Sequence, residues 1–287
     1  MISRAMTVRG LGLLGVLWWS LSACEAEVSA ETSSRAVIDL SQEVWALQCI
    51  HDFDLSAEQL RKLQALWSDV GTGNAAGEEP ANKTPRKLVT LLRKLRDALV
   101  KADDQDLIDE LRDDLASMRE DDDMHVPDHV VVKDAARARV KKVVRFLQPS
   151  QIASYLAAYE DEIPDPVEAL TDAVPEARGA EPGRFKELCD ENADELGPLL
   201  GGIDPDKVSR QGEKIRKWLS QWRELSDAEF KVKAAEVKKS AEDLVDDVDA
   251  FVVLRRWVER DLAELLSNPQ LGKAIEERLK VLAAGEK

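Results

Sequence analysis

Apolar residues recur every three or four positions through most of the chain, the spacing that lines one face of an α-helix. Val37, Leu40, Val44, Leu47 and Ile50 form one stripe, and Leu60, Leu63, Trp67 and Val70 a second. Leu88, Leu92, Leu95 and Leu99 continue into Leu107, Leu111, Leu115 and Met118, with a break expected at Asp103-Asp104. Val132, Ala136, Val140, Val143 and Leu147 make the next stripe. Further along come Trp218, Leu219 and Trp222, then Leu244, Val248, Phe251, Leu254, Trp257 and Val258, then Leu271, Ile275, Leu279 and Leu282. Alternating strand patterns are essentially missing. The pattern predicts an all-α protein built from long amphipathic helical hairpins.

Glycine, proline and small polar residues cluster at 71–85, where Thr84-Pro85 reads as an N-cap with a first-turn proline, and at 163–183. The second cluster is the expected boundary between two helical units. The resulting division is a helical unit over 36–162, a linker over 163–183 and a C-terminal helical unit over 184–284, preceded by a flexible tether over 24–35.

Residues 1–23 read differently. Arg4 and Arg9 precede an apolar run, Leu11 to Leu21, that is too short for a permanent span, which needs about 20 residues. This is the layout of a secretory signal peptide. Leu21-Ser22-Ala23-Cys24 resembles the lipobox of bacterial lipoproteins, which implies cleavage before Cys24 and acylation of its thiol and new N-terminus. With Glu25 following, the resemblance implies an outer-membrane anchor facing the periplasm. The alternative is cleavage near Ala30 to a soluble periplasmic form.

Charge narrows the partners. The chain carries 40 basic and 56 acidic residues, a net charge of −16, and loss of the leader removes two arginines and no acids. A field of that sign repels nucleic acid and favours cationic partners. Apolar content is ordinary at 44%, so the acidity decorates a folded body. Cys49 and Cys189 could pair as a disulfide in an oxidising envelope, or both could be small buried apolar residues.

Three helix starts share one layout. Leu55-Ser56-Ala57-Glu58-Gln59-Leu60 is a capping box, in which Ser56 and Gln59 satisfy each other's backbone amides, with a Leu55–Leu60 staple. Leu225-Ser226-Asp227-Ala228-Glu229-Phe230 repeats it with glutamate. Leu147-Gln148-Pro149-Ser150-Gln151-Ile152 repeats it with proline at the first helical position. Leu55-to-Gln59 and Leu147-to-Gln151 together resemble the paired LTxxQ motifs of the Spy/CpxP-like periplasmic proteins. That resemblance implies an all-helical envelope protein that binds unfolded clients or senses stress, over about residues 35–160. Serine and glutamine stand where the family has threonine, the chain is about twice the usual length, and it is acidic where those chaperones present a basic face.

Candidate binding residues follow. The helix from Lys133 to Arg145, with Arg137 and Lys141 between, offers a basic face for protein clients, or a solvated face that balances nearby acids. Trp218 and Trp222 share a helix face and read as core or as an exposed contact surface. Asp123, His125 and His129 lie in one acidic loop that could hold zinc, nickel or copper, or be only a solvated linker. Cys49, His51, Asp52 and Asp54 form a poorer cluster. No phosphate loop, Ca²⁺ loop or strand-borne nucleophile can be read, so neither an enzyme nor a resident cofactor is expected. The leading expectation is a non-enzymatic, protein-binding envelope lipoprotein. The alternatives are a metal-responsive sensor using the His125/His129 loop and a structural scaffold subunit.

Overall fold

The computed structural model describes residues 34–71, 86–121, 130–160, 162–245 and 248–285. The leader, Cys24, Thr84-Pro85 and the Asp123, His125 and His129 loop lie outside the described residues. Within them the chain is all-helical, with twelve helices in order. The first six are α1 (Ser34–Asp52), α2 (Ala57–Ser68), α3 (Arg86–Lys101), α4 (Gln105–Asp121), α5 (Asp134–Val144) and α6 (Pro149–Ala158). Then come α7 (Pro166–Ala177), α8 (Pro182–Gly201), α9 (Pro205–Trp222), α10 (Asp227–Val245), α11 (Ala250–Ser267) and α12 (Leu271–Gly285).

The division of the chain differs from the expected one in two respects. The 163–183 stretch is not a linker, because most of it is α7, whose Leu170, Val174 and Ala177 are buried. Its first residues look like breakers but form a helix start. Asp165 accepts from the amides of Val167 and Glu168 at 2.8 and 3.1 Å, and Pro166 takes the first helical position, where its missing N–H costs nothing. Asp204-Pro205 starts α9 in the same way.

The second correction concerns the C-terminal unit. α7, α8, α9 and α10 pack on one another, but α12 packs on α1, α2 and α3. α11 packs on α5, α2 and α6 as well as on α8. The last two helices therefore complete the N-terminal body, and one continuous core runs from Val37 to Ile275.

Two close approaches make this packing possible. At Gly201 a Cβ would lie 2.7 Å from the backbone nitrogen of Val208. Gly212 faces Ala193, so the α8–α9 pair is antiparallel and its helices nearly touch backbone to backbone. At Gly272 a Cβ would sit 2.4 Å from the Trp67 ring, whose Nε1 donates to the carbonyl of Asn268 at 2.9 Å.

Cations from distant helices finish several helix C-termini, where carbonyls lack partners and the dipole is negative. Arg256 Nη1 donates to Leu199 O in α8 at 2.9 Å. Arg278 Nη1 donates to Val100 O and Lys101 O at the end of α3, both at 2.8 Å. Lys133 Nζ donates to Gly71 O at 2.6 Å and Arg139 Nη2 to Asp69 O at 3.3 Å, just past α2. α12 is also held by charge. The Glu43 carboxylate in α1, only 2% exposed, takes Arg96 Nε and Lys273 Nζ at 2.6 Å each, and Arg96 also pairs with Glu277.

Candidate functional site

The corners before α2 and α6 meet. Within the first, Ser56 Oγ accepts from the Gln59 amide at 3.3 Å, and Gln59 Oε1 accepts from the Ser56 amide at 3.0 Å. Within the second, Gln151 Oε1 accepts from the Gln148 amide at 2.9 Å. Each glutamine then spends its remaining N–H donors on the other corner. Gln59 Nε2 donates to Gln151 Oε1 at 2.7 Å and to Phe146 O at 2.8 Å. Gln151 Nε2 donates to Phe53 O and Asp54 O at 2.9 and 2.7 Å. The two boxes thus form a mutual clasp. Leu55 and Leu147 are buried beside it. The third box closes on itself at the surface, where Glu229 Oε2 accepts from the amide and hydroxyl of Ser226 at 2.9 and 2.6 Å.

Beside the clasp lies a buried cluster that the sequence pattern does not reveal. Tyr155 in α6 stacks on Phe53, with ring centroids 3.9 Å apart, and its hydroxyl donates to Asp261 Oδ2 in α11 at 2.6 Å. Tyr159, just past α6, donates to Asp52 Oδ2 in α1 at 2.7 Å. The second oxygen of each carboxylate is taken by an arginine: Arg260 Nε on Asp261 at 2.9 Å and Arg112 Nη2 on Asp52 at 2.6 Å. Burial pushes both phenols far above their ordinary range and raises the Asp261 carboxyl, and it lifts the Cys49 thiol well above its usual value. These groups hold their protons at neutral pH or are locked in ion pairs.

Above this cluster α1 and α4 leave an open cleft of about 510 Å³. α1 lines it with Ser41, Val44, Trp45 and Gln48, one face at helical spacing. α4 lines it with Asp109, Arg112, Asp113 and Ala116 at the same spacing, while its Ile108, Leu111 and Leu115 are buried. Ala158, Tyr159 and Glu162 close the end at α6. Arg112 spans the cleft to Asp52. Val44, Leu92 and Leu115 at its base are buried, Trp45 and Tyr159 present half-buried rings, and the rim carries carboxylates. Trp45 lies off the Val37–Ile50 stripe, and the spacing cannot tell which flank of α1 stays uncovered.

The other expected residues are dispersed. Trp218 and Trp222 are not a contact surface: they are 5% and 8% exposed, packed edge to face with centroids 6.2 Å apart. Trp218 Nε1 donates to Ser240 Oγ at 2.8 Å. α10 reaches this face through Ser240, and α8 packs closely along α9. On α5, Lys133 serves the end of α2 and Arg137 pairs with Asp134 at 2.7 Å; Lys141 and Arg145 are exposed. The basic face therefore shrinks to the second half of that helix. Cys49 and Cys189 are both free and buried, in α1 and α8, so the bridge weighed for them is not formed. His51 Nε2 lies 2.8 Å from Gln105 Oε1, while Cys49 and Asp52 turn to the buried cluster, so the Cys49–Asp54 group does not converge. Among the described residues, no group of three His, Cys, Asp or Glu side chains is placed to hold a metal ion. None of the helices among them is long and apolar enough to cross a membrane.

No protein-family model, curated protein or solved structure matches the chain.

Proposed function

We propose that this protein is a non-enzymatic envelope lipoprotein that binds other proteins through its helical surface, in a chaperone-like or stress-adaptor role. The single observation that carries the reading is the open α1–α4 cleft, in which the half-buried rings of Trp45 and Tyr159 lie among polar and acidic side chains. Two features support it. The Gln59–Gln151 clasp unites the two motifs on which the resemblance to the LTxxQ proteins rests. Burial raises the Cys49 thiol and the Tyr155 and Tyr159 phenols away from neutral reactivity, which suits a rigid platform.

The purified protein is expected to suppress aggregation of heat- or denaturant-unfolded clients at stoichiometric ratios. No suppression at severalfold excess over three unrelated clients overturns the reading. The anchor has its own test. Cys24→Ser is expected to move the protein from the membrane to the soluble envelope fraction, since the acyl chains supply the attachment. Unchanged membrane partition of the variant would remove lipidation at Cys24.

A further inference from the structure

The cleft is selective in its chemistry. Trp45 and Tyr159 present half-buried rings above the buried Val44, Leu92 and Leu115, and Asp109 and Asp113 stand at its mouth. The cation within it, Arg112, pairs with the buried Asp52 at 2.6 Å and lies 4.0 Å from Asp109, which also accepts from Gln105 Nε2 at 2.8 Å. An incoming cation therefore meets the carboxylates of Asp109 and Asp113, with the Arg112 guanidinium drawn toward Asp52. An incoming anion meets repulsion from the rim and from a chain of net charge −16. Exposed alanines, Ala116 and Ala158, form part of the walls and leave room for a second backbone. Two helix faces at matched spacing are the walls of a groove that receives a segment with side chains at intervals of three and four. The volume lies inside the range of about 300–1,000 Å³ for sites that enclose ligands.

We infer that the α1–α4 cleft seats a partner-protein segment that combines apolar side chains with lysine or arginine, the apolar groups against Trp45 and the cations at Asp109 and Asp113. The inference rests on the protein-binding reading and names the class of segment that reading requires. The apolar contacts supply affinity and the rim carboxylates supply selection, because exposed ion pairs are individually weak, about 0.2–1 kcal/mol, but like charges are rejected.

Fluorescence anisotropy tests it with three labelled 15-residue peptides at about 50 mM salt, where surface charge is little screened. One is an amphipathic leucine–lysine peptide, one its leucine–glutamate counterpart and one is oligolysine. The leucine–lysine peptide is expected to bind at least tenfold more tightly than either of the others. Asp109→Lys/Asp113→Lys is expected to weaken it at least tenfold. Glu236→Lys/Glu242→Lys on the exposed side of α10 makes the same change in net charge far from the cleft and is expected to alter binding less than twofold. Asp109→Asn/Asp113→Asn should fall between the first variant and wild type, and the melting curves of all variants report folding separately. The inference is overturned if the α10 variant loses as much affinity as the cleft variant, if the glutamate peptide binds equally well, or if the lysine peptide does not bind. Client protection that persists unchanged in Asp109→Lys/Asp113→Lys would sink the cleft assignment while leaving protein binding intact. Absence of both protection and peptide binding would sink both.

Discussion

Glu43→Ala is expected to lower the unfolding free energy by about 3 kcal/mol, within the range seen when one partner of a buried ion pair is removed. Glu43 is 2% exposed and holds Arg96 of α3 and Lys273 of α12 to α1. Removing it strands the Arg96 guanidinium on the inner side, although Asp97 and Glu277 still hold its outer nitrogens. Lys273 is half exposed and can return to water, which keeps the cost from reaching the upper end of the range. Glu43→Gln keeps the shape and one acceptor and should lose clearly less. Urea unfolding with an unchanged slope would read the difference as a midpoint shift. An alanine variant within 0.5 kcal/mol of wild type would mean that apolar packing alone docks α12.

Gln59→Leu is expected to cost a similar amount, about 3 kcal/mol, and the effect should not add to that of Gln151→Leu. A solitary capping residue contributes about 1 kcal/mol. Gln59 does more: its loss leaves the Ser56 amide and the Phe146 carbonyl without this partner at a part-buried corner, each at a cost of about 1 kcal/mol or more, and removes its bond to Gln151. The bond between the two glutamines is lost in either single variant, so the double variant should fall short of the sum by about 1 kcal/mol. Strict additivity in the thermodynamic cycle would show two independent caps that happen to be neighbours. Ser226→Ala at the isolated third box provides the comparison, with a loss near 1 kcal/mol.

The candidate site was legible in pieces. Each capping box is written in six consecutive residues, because the bonds that close it run between positions three apart. The pairing of Gln59 with Gln151 uses donors left over after the local bonds are made, and those become useful only where two corners meet. The cleft was missed for a related reason. The α1 stripe shows that Val44 and Leu47 face inward, but Trp45 lies off the stripe, and its partial exposure depends on where α4 lies. Trp218 and Trp222 are the converse case: the spacing shows their shared face and leaves core and contact surface both open, and the helix that decides for core is not visible in it. Tyr155 and Tyr159 carried no signal, because the aspartates they bond come from α1 and α11.

Local composition determined the all-α class, the stripes and most helix starts. These depend on contacts within a turn or two, where spacing and capping chemistry act directly. The proline-rich 163–183 stretch shows the limit, because proline breaks a helix interior but starts a helix equally well. Which helices join which body was decided by the tertiary structure alone. α12 returns to α1, α2 and α3 because Gly272 lets Trp67 approach and because Glu43 and Arg96 wait for Lys273 and Glu277. These matches between positions some 180–230 residues apart leave no trace in the spacing of either helix.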